Sequence, residues 1–299
     1  MAGCENPFLA LKARLVVAIF LIISIGLALI FSTLSALELL PLKGDDPIRA
    51  PILYSLVFVS LCGIIVLMAR RLPLRLTLLL GQPPQQLAWV KLLGLMVGVF
   101  LFSLGASQVS YLGLSVVAPG LVEANLRESL LLSSDQATDP GFYNLLMLLS
   151  VLVVAPITEE FVFRGVLLHR WGVKWGIRPA IILTSMLFGV LHSNLTGLFV
   201  FGVVMSLLYL STRSLLVPIA AHAICNAIAS GVEFLATQPA ASVNTLTEFR
   251  SSWWVGVLCL LASAPWVLGY VVYHWPDRQA LLPYFANQGM IKGRCRQPE

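Results

Sequence analysis

Glu159 and Glu160 stand side by side with Arg164 one helical turn later, in a stretch from Leu145 to Arg164 that otherwise reads as membrane-spanning. Each ionised side chain in hydrocarbon costs roughly 2.5–3.5 kcal/mol on insertion scales, so such a cluster persists when it is paired and turned to a polar cavity. On a helix, Glu160 and Arg164 are i and i+4 and share a face, whereas Glu159 points about 100° away. The permanently charged arginine is expected to hold Glu160 ionised and oriented, which leaves Glu159 to act as a general base. Pro156, three residues before Glu159, is expected to loosen the helix and free backbone carbonyls.

Two histidines follow on later apolar segments, each with a partner at i+4 spacing. Phe188 precedes His192 by one turn and can fix its ring by packing; Asn226 follows His222 by one turn, so an imidazole and an amide project together. Adjacent hydrogen-bond donors of that kind suit a developing oxyanion. Intramembrane His and Asn also serve as interhelical glue, but Glu159, Glu160, Arg164, His192, His222 and Asn226 together form a costly set for glue alone. His169, beside Arg170, reads as a boundary residue, and His274, beside Trp275, as an interfacial ring. Cys225 lies between His222 and Asn226, but its helical position diverges from theirs and buried thiols are inert. No His is followed by Glu, which excludes the His-Glu-x-x-His zinc helix.

The elements that must carry these residues follow from composition. The chain has 299 residues, 58% of them apolar and 11% charged, with a mean hydropathy of +0.89, outside the range of soluble domains. Eight apolar stretches, at about 15–37, 51–69, 88–117, 142–168, 179–193, 196–212, 214–235 and 252–273, predict an all-α polytopic membrane bundle. The fifth and sixth are short and are expected to form a tight hairpin through Ser193-Asn194-Leu195-Thr196. A single membrane domain, 1–299, is expected, with a catalytic core over 140–235 and a polar tail over 275–299, flexible or peripheral. A short interfacial helix is an alternative to plain loop between Pro119 and Pro140. The five cysteines show no paired spacing, so no disulfide framework is implied.

Charge sets the orientation. Threaded from an inner N-terminus, one side receives Lys12, Arg14, Arg70, Arg71, Arg75, Lys91, Arg170, Lys174, Arg178, Arg213, Arg278, Lys292, Arg294 and Arg296, and the other receives Lys43, Arg49, Arg127 and Arg250. This asymmetry predicts both termini in the cytoplasm. The net charge of +5 is then a topology signal and a contact with anionic headgroups, not a nucleic-acid footprint. Counting about 1.5 Å per residue places Glu159 about 25 Å from the outer start of its helix, and the cavity is expected to open toward the cytoplasmic leaflet. His222, at roughly 12 Å from the inner start of its helix, agrees, whereas His192 by the same count comes out too far from that side.

Glu159-Glu160-x-x-x-Arg164, Phe188-x-x-x-His192 and His222-x-x-x-Asn226, in that order, resemble the three motifs of the CPBP intramembrane proteases. That family includes the type II CAAX prenyl endopeptidases and the bacterial Abi proteins linked to bacteriocin immunity. The resemblance implies that Glu159 and His192 activate a water, that His222 and Asn226 stabilise the oxyanion, and that Glu160, Arg164 and Phe188 support them. It implies a membrane-tethered or lipid-modified peptide, such as a prenylated CAAX protein, as substrate. A metal-free mechanism is favoured, but the family is commonly labelled metalloprotease, and Glu159, His192 and His222 are also a set that zinc accepts. A non-catalytic immunity or scaffold protein and a proton-coupled transporter are the competing readings. The absence of charged residues inside the first three helices weakens the transporter.

Overall fold

The computed structural model describes residues 6–39, 46–127, 130–131, 139–236 and 245–294, and among these the chain is helical without a strand. The principal helices are α1 (Ala13–Ala36), α2 (Arg49–Arg70), α3 (Trp89–Val117), α4 (Pro140–Trp175), α5 (Ile177–Val190), α6 (Leu195–Thr212), α7 (Leu216–Ala236), α8 (Trp253–Tyr273) and α9 (Pro283–Arg294). Seven of them, α1 to α4 and α6 to α8, are long and apolar enough to cross a membrane. The chain is an integral membrane protein. The fifth expected span, α5, has 14 residues. At about 1.5 Å per residue it rises about 21 Å, short of a hydrocarbon core about 30 Å thick.

α5 and α6 form the expected hairpin, and its turn is tied to α3: Asn194 Nδ2 donates to Ser103 O at 2.8 Å and to Ser103 Oγ at 2.9 Å. The Asn194 carboxamide oxygen also caps α6 by accepting from Gly197 N at 3.0 Å. Lower in the hairpin the helices approach at Gly202, where a Cβ would stand 2.9 Å from Ser185 Cα. A glycine is therefore required at that crossing.

α4 carries the glutamates and is the least regular helix. Its 36 residues would span about 54 Å, well beyond a bilayer. Two stretches, Ser150–Val154 and Phe161–Leu167, are wound as π-helix, a distortion frequent at functional sites. Pro156 lies between them and has no N–H to donate. Val151 O, one π-turn earlier, accepts instead from Asn226 Nδ2 of α7 at 2.8 Å. The loosening expected at Pro156 is thus used as a joint between α4 and α7.

One end of the bundle departs from expectation. The segment after Trp275 does not lie loose: Leu282, Tyr284, Ala286 and Asn287 are buried, and Asn287 Nδ2 donates to Leu78 O at 2.8 Å and Arg213 O at 3.0 Å. The apolar run Leu281 to Ala286, within an otherwise polar tail, supplies the packing surface. His169 is corrected with it. Phe8 stacks on its ring at 4.7 Å and Tyr284 N donates to its Nε2 at 3.2 Å, so it is fully buried and not a boundary ring. Between α3 and α4, Pro119–Arg127 forms a helix; positions 128–129 and 132–138 lie outside the described residues.

Candidate active site

Glu160 sits with no exposed surface at the centre of a sealed cluster. Its Oε1 accepts from Arg164 Nη1 and from His222 Nδ1, each at 2.9 Å. The i, i+4 pairing read from the sequence is therefore present, and a third member joins from α7. Arg164 Nη2 donates to Gly202 O at 3.1 Å, which ties α4 to α6 at the glycine crossing. Glu160 Oε2 and Arg164 Nε are buried without a protein hydrogen-bond partner among the described residues. The cluster thus joins α4 to α6 and α7.

Glu159 faces the other way. Its Oε1 accepts from the Tyr54 hydroxyl of α2 at 2.6 Å. The remaining carboxylate surface looks into a cavity of about 610 Å³, a size typical of ligand sites. Glu159, His192, His222 and Asn226 all line that cavity, as do Phe188 and Tyr54. Arg164 and Glu160 do not. The two adjacent glutamates face different surroundings, as expected from their helical spacing.

Each histidine is held by one ring nitrogen. His192 Nδ1 donates to Phe188 O at 2.6 Å, and Phe188 stacks on the same imidazole with centroids 4.6 Å apart. His222 Nδ1 donates to the Glu160 carboxylate, and the edges of Phe201 and Phe188 flank its ring at 4.9 and 6.1 Å. Acceptors on both Nδ1 atoms fix the tautomer and leave Nε2 as the nitrogen available for chemistry. Phe188 also lies 4.9 Å from the Arg164 guanidinium, so a single ring couples the sealed cluster to His192.

Asn226 spends one of its two amide hydrogens on Val151 O. Tyr54 is the site residue that sequence reasoning missed. Its signal was a phenol one turn into an apolar helix, indistinguishable in sequence from the tyrosines that belt membrane interfaces. Neighbouring bonds hold α2 to α4: Ser55 Oγ and Ser150 Oγ are 2.9 Å apart, and Ser150 Oγ also donates to Pro51 O at 3.3 Å.

A zinc site would need Glu159, His192 and His222 to converge. Their types suit the ion, and the Nδ1 contacts resemble those that orient metal-bound imidazoles. Their placement does not: among the described residues no three His, Cys, Asp or Glu side chains are grouped to hold a metal ion.

The cavity has a floor and a rim. Glu159, Phe188, Phe201 and His222 are buried at its base, whereas Ala50, Leu104 and Ala229 are exposed at its edge. Ala50 is in the first turn of α2 and the His192–Asn194 turn joins α5 to α6.

Residues 141–228 match the family model described as type II CAAX prenyl endopeptidase Rce1-like. That span contains all seven motif residues. An Escherichia coli protein named "Uncharacterized 24.3 kDa protein" is 31% identical over 86 residues, 26% of this chain and 40% of that one. A Bacillus subtilis (strain 168) protein named "Putative membrane peptidase YdiL" is 32% identical over 84 residues, 27% of this chain and 34% of that one. The chain thus spans well under two thirds of the curated relatives it matches. No solved structure matches it.

Proposed function

We propose that this chain is an intramembrane endopeptidase that hydrolyses peptide bonds of membrane-associated polypeptides with a water activated by Glu159 and His192. The observation that carries the reading is the split of the adjacent glutamates, Glu160 locked to Arg164 and His222, Glu159 turned to a cavity shared with His192, His222 and Asn226. The family match over the same segment supports it.

The chemistry runs as follows. Glu159 accepts a proton from a water in the cavity, His192 Nε2 orients that water, and the oxygen attacks the peptide carbonyl carbon. The carbonyl π electrons move to its oxygen, which accepts a hydrogen bond from the second Asn226 amide hydrogen beside the His222 ring. Collapse of the tetrahedral species re-forms the carbonyl and breaks the C–N bond, and the proton held by Glu159 passes to the leaving nitrogen. Charge stays balanced throughout. Glu159 gains its proton as the oxyanion forms, so that step leaves the net charge of the site unchanged. In a low-dielectric interior, where unpaired charge is expensive, that constancy favours the reaction.

No step in this scheme passes through a metal. Activity of purified protein in liposomes is expected to persist in a strong chelator, and its loss with recovery on zinc addition would replace the scheme. The direct test uses membrane-tethered peptides, prenylated and unmodified. Wild-type protein is expected to cleave members of the panel, and Glu159→Gln and His192→Ala to lose cleavage by about 10²–10⁴-fold. Equal cleavage by both variants sinks the assignment.

A further inference from the structure

We propose that the cleft between the start of α1 and the last turns of α4 binds the phosphate of an anionic glycerophospholipid, at a site separate from the cavity that Glu159 faces. The cleft has a volume of about 360 Å³ and is lined by Lys12, Arg14, Arg170 and Lys174 with Trp171 and Trp175. Among the described residues that line it, none is acidic. Four cations with no carboxylate between them repel one another across so small a concavity, and an anion relieves that repulsion.

Packing brings these two segments together. Phe8, in the short helix Pro7–Ala10, is fully buried and stacks on His169 with centroids 4.7 Å apart. Its carbonyl accepts from Arg170 Nη1 at 3.3 Å. The N-terminal segment is thereby fastened to α4, and Lys12 and Arg14 follow within six residues of Phe8. On the α4 side, Trp171 and Trp175 are one turn apart with centroids separated by 6.1 Å, and Lys174 Nζ stands 4.6 Å from the Trp175 ring centroid. A cation–π contact steers an ammonium without using up its N–H donors, which a phosphate oxygen can then accept.

Depth and shape select a lipid over a free ion. α1 has 24 residues, a rise of about 36 Å against a hydrocarbon core about 30 Å thick, so its first turn falls in the headgroup layer. Cations beside tryptophans match an anionic layer at that depth. Arg14, Val17, Leu21 and Ile25 follow one another at spacings of three and four, share one face of α1, and are all exposed. This stripe leads from the cleft into the hydrocarbon, and its apolar part offers acyl chains a surface that inorganic phosphate cannot use. Val16 is the one buried residue of α1, so the helix has little packing of its own. A headgroup bridging Lys12 and Arg14 to Arg170 and Lys174 adds a second fastening beside Phe8.

The test titrates purified full-length protein in a non-ionic detergent and reads the unfolding midpoint. Dioctanoyl phosphatidylglycerol is expected to raise the midpoint saturably, whereas dioctanoyl phosphatidylcholine and inorganic phosphate at the same concentrations leave it in place. An equal rise with phosphatidylcholine overturns the charge requirement, and an equal rise with inorganic phosphate overturns the lipid assignment. Lys12→Gln combined with Lys174→Gln is expected to weaken the phosphatidylglycerol response about 30-fold, about 5-fold for each cation. Arg70→Gln combined with Arg71→Gln removes two exposed cations outside the cleft and is expected to keep the wild-type response. Equal weakening by both pairs, or no weakening by the first, means diffuse surface charge and overturns the site. All four side chains are exposed, so both variants are expected to fold, and each response is read from the variant's own lipid-free midpoint. Lys174→Arg keeps the charge and is expected to respond like wild type. The readout does not involve cleavage, so it stands or falls apart from the peptidase reading.

Discussion

Around Glu160 the polar atoms face one another, and around Glu159 they face a cavity. The first region is sealed: one carboxylate oxygen receives both a guanidinium and an imidazole, and the second guanidinium nitrogen closes on a backbone carbonyl of α6. The second is open, with a single phenol from α2 steadying the carboxylate. The residues are neighbours in sequence and about 100° apart on the helix, so the contrast arises from what packs on each side. The lesson is a division of labour. A buried ion pair costs desolvation, and here the pair joins three helices beside a neighbour that faces the cavity.

The largest effect should come from breaking the sealed side. Arg164→Leu leaves Glu160 buried beside His222 alone, and loss of one partner of a buried pair costs about 3–5 kcal/mol. Unfolding of the purified variant in detergent is expected at a clearly lower temperature, and a wild-type midpoint would contradict the sealed-cluster description. The open side should respond differently. Glu159→Gln keeps shape and is expected to unfold like wild type while cleavage falls about 10²–10⁴-fold; a comparable loss of stability would erase the distinction between the two glutamates.

Tyr54→Phe sharpens the comparison further. It removes one hydrogen bond to a carboxylate, a contact worth about 1.5–3 kcal/mol. Cleavage is expected to drop about 10–100-fold through kcat, with KM and the unfolding midpoint little changed. A change confined to KM would make Tyr54 a substrate contact instead of a positioning residue. The smallest effect lies far from both regions. Asn287→Ala removes two bonds that dock α9 and is expected to cost about 1 kcal/mol of stability, with cleavage unchanged.

How much of this could be read beforehand varies by residue. Glu160–Arg164 was legible because an i, i+4 pair is a local geometric fact, and Phe188–His192 was legible for the same reason. Tyr54 was not, since its partner is 105 positions away and a lone phenol in an apolar helix carries no spacing. His169 was misjudged because sequence gives its place near a helix end but not the Phe8 and Tyr284 rings that cover it. The docking of α9 was missed because six apolar residues in a polar tail are too few to signal a partner surface on their own.

Sequence by itself determined the membrane class, the helices and the membership of the polar set, because hydrophobic length and helical periodicity act over one to two dozen residues. The charge asymmetry between alternate connections was likewise a property of the chain alone. Tertiary structure decided which carboxylate is sealed and which is open, and that His222 belongs to Glu160 as well as to the cavity. Those outcomes depend on the shortness of α5 and on the close crossing at Gly202. They are distances between helices, and no spacing within a single helix encodes them.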